Sequence, residues 1–157
     1  MAEEITLVEL TEQHTAVVRD RVPHDGIADF LGRAFGSVMG AVAAGGRQVV
    51  GTPFARYTAM DESGWDIEAG FPVDGPVEGP GVESGRLPGG PAVQVIHRGS
   101  YDSVATTWHR AEAWMAEHGH TATEAPWESY LDGPEVPEPR TLIVMPCDGG
   151  AAAQDAG

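Results

Sequence analysis

The sequence predicts an α+β fold: a tandem repeat of β-α-β-β units, with helices on one side and a central groove. Two observations carry this. The first is a spaced echo, in which Pro53-Phe54-Ala55-Arg56-Tyr57 returns 73 positions later as Pro126-Trp127-Glu128-Ser129-Tyr130. The same offset sets Gly46 against Gly119, Val42 against Met115, Phe35 against Trp108 and Leu31 against Val104. At an offset of 74, Phe71-Pro72-Val73 meets Met145-Pro146-Cys147. The second is a change of period within each copy, from β-branched runs to helical spacing and back.

Taken in order, residues 5–10 alternate apolar and polar, as a strand with one wet face does, and either lead into or extend a strand at 16–22. Ile27, Leu31, Phe35, Val38 and Val42 then mark a helix, with Asp25 as its cap and Gly45-Gly46 as its stop. Strands at 54–60 and 65–73 follow, joined across Asp61-Glu62-Ser63-Gly64. The second copy has a strand at 92–97 and a helix carrying Val104, Trp108, Ala111 and Met115. Ser100 or Asp102 caps that helix and Gly119 ends it. Strands at 127–131 and 141–147 complete the copy. Repeat one thus spans about 5–73 and repeat two about 92–147, within a single domain of 1–148. Residues 74–91, rich in Gly and Pro, read as a loop connector, and the small polar tail 149–157 as disordered. One such unit is marginal alone, whereas two can pair their sheets and leave a groove at the seam, where pockets favour forming.

Composition narrows the function classes. The 157 residues carry 9 basic and 24 acidic side chains, a net charge of −15, which argues against nucleic acid as a partner. No apolar run reaches the ~18 residues of a membrane span, and the acidic start lacks a signal-peptide pattern. One cysteine, Cys147, cannot form an internal disulfide. A cytoplasmic protein is expected. The six histidines form no metal-ligand set, and no phosphate loop, dinucleotide fingerprint or nucleophile elbow is present, so neither metal nor cofactor is expected.

The Pro-aromatic-x-x-Tyr element, the hairpin ending in Phe71-Pro72-Val73, and His97-Arg98-Gly99-Ser100-Tyr101 opening a helix together resemble the GyrI-like (gyrase-inhibitory-protein-like) family. That family includes the effector-binding domains of AraC-type and multidrug-responsive transcription factors. The resemblance covers roughly residues 5–147. It implies a pair of SH2-like motifs around a ligand groove and the binding of lipophilic, often cationic, aromatic compounds. It also implies a glutamate at the bottom of the pocket, at the position of Glu128. Some standalone members resemble hydrolases of cyclopropane-bearing natural products. With four residues before Ile5, no direct role at DNA is expected.

Glu128 is the leading candidate because it breaks the repeat: copy one has Ala55 there. A carboxylate among aromatic rings is partly desolvated, so pairing with a weakly hydrated, delocalised cation is favourable. Tyr57, Tyr101 and Tyr130 offer flat apolar faces with polar tips, and Trp65 a possible wall. Phe54 and Trp127 serve as wall or packing. Glu68 is a second pocket acid or, with Asp66, part of a solvated face. Trp108 and Phe35 read as helix core, Trp114 falls off the stripe, and Gly32, Gly36 and Gly40 read as a close-packing face. Three functions follow: a binding protein for a planar aromatic cation; a hydrolase using Glu128 with Tyr101 as catalytic residues in the same groove; and an acidic protein contacting gyrase.

Overall fold

The computed structural model describes residues 5–99, 103–132 and 135–148, with backbone alone at Met60. Its elements are β1 (Thr6–Leu10), β2 (Gln13–Val22), α1 (Ile27–Ala44), β3 (Phe54–Asp61), β4 (Gly64–Pro72), β5 (Glu83–Leu87), β6 (Gly90–Arg98), α2 (Val104–Glu117), β7 (Trp127–Tyr130) and β8 (Arg140–Pro146). The chain forms two compact units, one of residues 12–87 and the other of residues 1–11 with 88–157. The class is α+β, with antiparallel strand pairing, as the sequence predicts.

In the unit of residues 12–87 the strand order is β3-β4-β2-β5. α1 buries Phe30, Ala34, Val38 and Val42. Val38 and Val42 pack with Ala16, Val73, Val77 and Val82. Buried side chains recur every four residues, so this stripe lies beside the predicted one: Ile27, Leu31 and Phe35 are only partly buried. The β3–β4 hairpin closes because Asp61 Oδ1 accepts from both the backbone N–H and the hydroxyl of Ser63, each at 2.8 Å. Gly64 then takes φ +150°, where a Cβ would lie 2.2 Å from the Val22 carbonyl oxygen.

In the other unit the order is β1-β6-β8-β7. Val93, Val95, Ala111, Met115, Ile143, Met145 and Cys147 form its core, with Leu7, Val104, Trp108 and Trp114 packed on it. Cross-strand partners share a face, so Val93, Val95, His97, Thr141, Ile143, Met145, Glu128 and Tyr130 all lie on the side that α2 covers. The strands β2, β4 and β3 and the strands β6, β8 and β7 follow the same connectivity around their helices.

Several expectations are corrected. The connector 74–91 is not all loop: Glu83–Leu87 is a strand paired with β2. Residues 6–10 pair with β6 rather than extending β2. Asp25 does not cap α1; Gly26 holds the cap position without a side-chain bond. Ser103 occupies that position in α2, while Ser100 and Asp102 lie outside the described residues. The glycine stops hold, with Gly46 at φ +69° and Gly119 at +73°. Gly32, Gly36 and Gly40 are exposed, and a Cβ on any of them meets nothing within 4 Å, so they are not a packing face. α1 is also, at 18 residues and mean hydropathy 1.3, long and apolar enough to cross a membrane by length and composition alone. The sequence reading overlooked this because Asp29 and Arg33 interrupt the run.

Candidate functional site

Glu128 sits on β7, opposite Ile143, on the helix-covered side of its sheet, and is 6% exposed. Trp108, reaching from α2, donates its indole N–H to Glu128 Oε2 at 2.5 Å. Tyr130, two residues along β7, donates its hydroxyl to Oε1 at 3.0 Å. The period of two along a strand puts Glu128 and Tyr130 on one face. Trp108 lies one position after the buried Thr107, so its ring lies over the edge of the α2 packing stripe. Both donors are neutral side chains, and they orient the carboxylate. Trp127, by the same alternation, points to the opposite face and is buried beside Val144.

Beyond Glu128 and Tyr130, the same face carries Thr141 and His97, in one cross-strand row with Tyr130. His97 is buried, with Nδ1 2.7 Å from Thr107 Oγ1 and Nε2 3.1 Å from Ser103 Oγ. The Thr141 hydroxyl is buried with no hydrogen-bond partner among the described residues.

In the unit of residues 12–87, Tyr57 meets Trp65 edge-on, centroids 5.2 Å apart, and His24 also lies edge-on to Trp65 at 5.7 Å. Tyr57 pairs with Ile67, placing both rings on the α1 side. Glu68 lies on the other face, opposite Arg19 and Arg56. It is 6% exposed, and its Oε2 accepts from Arg19 Nε at 2.8 Å. That bond raises the Arg19 pKa above its ordinary value, against a smaller lowering by burial. Arg19, Asp20, Thr58, Asp66, Ile67 and Glu68 line a hollow of about 310 Å³.

Among known proteins, no curated sequence matches significantly. The GyrI-like small molecule binding domain matches residues 3–147. The chain belongs to this family. The EcmrR C-terminal domain shares its fold at TM-score 0.81 and 24% identity, over 94% of this chain and 99% of that one. A hydrolase from Listeria innocua aligns at TM-score 0.65 and 13% identity, over 92% of each chain. SAV2435, solved bound to tetraphenylphosphonium, aligns at TM-score 0.59 and 14% identity, over 93% and 94%.

In this GyrI-like domain the candidate residues are distributed over both units. Glu128 and Tyr130 come together, and Tyr57 meets Trp65. Glu68 is set on the face opposite Tyr57 and Trp65. The solvated-face reading of Glu68 is corrected, because Arg19 reaches in from the neighbouring strand and lets the acid be buried. Asp66 does stay half-exposed, 3.1 Å from Arg21. Phe54, opposite Gly70, and Trp127 are both buried. Tyr101 lies outside the described residues. Phe35 is not core: it is partly buried, edge-on to Phe71 at 5.6 Å. Trp114 packs on the core and stacks with His118 at 4.0 Å and His120 at 5.5 Å.

The residue that sequence reasoning missed is Trp108. Counting it as core accounted for the ring and left the N–H without a partner. A half-buried indole needs an acceptor, and Glu128 was the acid already singled out.

Proposed function

We propose that this GyrI-like domain binds lipophilic, planar aromatic cations, with Glu128 as the counter-charge. The observation that carries the reading is a buried carboxylate held by two aromatic side chains through neutral hydrogen bonds. An organic cation with weak hydration pairs with a buried carboxylate at little desolvation cost. The rings of Trp108 and Tyr130 add cation–π attraction of about 0.5–2 kcal/mol for each well-placed contact. Arg19 opposes the charge of Glu68 at 2.8 Å, and Glu68 is not assigned the counter-charge role. The tetraphenylphosphonium held by SAV2435, a relative in fold, is likewise a lipophilic aromatic cation, tetrahedral rather than planar. Titration with a fluorescent planar cationic dye tests the proposal. Saturable binding that weakens at least tenfold in Glu128→Gln supports it, and equal affinity of the two proteins opposes it.

A second reading is hydrolysis of a strained, reactive ligand such as a cyclopropane-bearing compound. The Tyr130 hydroxyl bonded to Glu128 at 3.0 Å favours it, since a carboxylate paired with a phenol can orient water and donate a hydrogen bond. Mass spectrometry after incubation with such a compound separates turnover from retention.

A further inference from the structure

We propose that Ser103, His97 and Thr107 form a nucleophile–base–orienter set that cleaves small carboxylic esters through an acyl-serine. Three observations carry it. First, one imidazole joins two hydroxyls: His97 Nδ1 lies 2.7 Å from Thr107 Oγ1, and Nε2 lies 3.1 Å from Ser103 Oγ. With the Nδ1 proton donated to Thr107, the Nε2 lone pair accepts from Ser103, which is the tautomer a general base requires. Second, the three differ in exposure as those roles demand. His97 and Thr107 are buried, which fixes the ring, and Ser103 is exposed, which admits a substrate. Third, Ser103 stands at the cap position of α2 yet makes no capping hydrogen bond with its side chain. Its hydroxyl is directed to the histidine, although serine at that position ordinarily serves the helix.

The first-turn N–H groups of α2 lack acceptors within the helix and lie immediately after the nucleophile. They are placed to receive an oxyanion. In the first half-reaction Ser103 Oγ bonds to the ester carbonyl carbon and its proton passes to His97 Nε2. The ester C–O bond then breaks, and the alcohol departs with that proton. In the second, water adds to the acyl carbon and gives a proton to His97. The bond to Ser103 Oγ breaks, the proton returns to that oxygen, and a carboxylic acid leaves. The set uses neither Glu128 nor Tyr130, so it stands apart from cation binding.

The test uses the whole chain with a fluorophosphonate probe and with 4-nitrophenyl acetate. The expected result is a covalent adduct on the peptide carrying Ser103. Adduct and ester cleavage should vanish in Ser103→Ala, whose exposed position leaves folding intact, and fall a hundredfold or more in His97→Gln. Thr107→Val should slow labelling, and Thr107→Ser should restore it. Labelling elsewhere, or cleavage undiminished in Ser103→Ala, overturns the proposal and leaves the hydroxyls as structural partners of a buried histidine.

Discussion

Trp108 and Glu128 depend on each other. The indole N–H is a donor to a carboxylate that is almost wholly removed from water. Trp108→Phe keeps an aromatic ring but deletes that donor. A hydrogen bond to a charged group contributes about 1.5–3 kcal/mol, and urea unfolding should show a loss in that range. At the other end of β7, Asp132 accepts from Arg140 Nε at 2.8 Å. This bond, ahead of a smaller opposing effect of burial, holds the Asp132 carboxyl below its ordinary value of 3.8. A lowered folded-state value means that the stabilisation is complete above that range and is lost as pH falls through the folded value. The difference in melting temperature between the native protein and Asp132→Asn should therefore stay constant at neutral pH and close in acid. Residue-scale reading of the sequence singled out Glu128 because it breaks the pattern that Ala55 sets, and the structure buries that acid. The same reading failed where the deciding partner was distant along the chain, as Arg19 is from Glu68.

The elements were legible where glycine and β-branched residues punctuate them, and less so where two patterns compete. α1 has two apolar stripes one position apart. Ile27, Leu31 and Phe35 are the larger residues on average, yet the sheet takes Phe30 and Ala34, because the Val38–Val42 end fixes the helix rotation. β5 escaped notice because Glu83-Ser84-Gly85-Arg86-Leu87 shows neither β-branching nor clean alternation. Its pairing with β2 supplies what its composition does not. Glycines make the element-scale prediction. Alanine at Gly32, Gly36 or Gly40 meets open space in a helix and should stabilise by about 0.5–1 kcal/mol each. Alanine at Gly70 would place its Cβ 1.9 Å from the Ala16 carbonyl oxygen and should disrupt the β2–β4 pairing. Chemical denaturation of the four single variants would show the opposite signs.

At the scale of the whole molecule, the unit that holds Glu128 draws on both ends of the described chain, since β1 pairs with β6 along Thr6–Leu10. Removing residues 1–11 should turn β6 into an edge and speed amide exchange at alternate β6 positions, while the β2–β4 amides keep their protection. Hydrogen exchange by mass spectrometry reads both regions at once. The α+β class was visible in the change of period along the chain, but nothing local marks β1 as the partner of β6, a strand about 80 positions away. The net charge of −15 attracts any cation weakly and without selectivity, so the proposed recognition rests on the buried acid. A matched pair of dyes with one ring system, cationic and neutral, titrated calorimetrically into the native protein and Glu128→Gln at fixed salt, separates the two effects. Glu128→Gln should weaken the cation tenfold or more, about 1.4 kcal/mol, and leave the neutral dye unchanged. Equal loss for both dyes, or for neither, would contradict the assignment of Glu128 as the counter-charge.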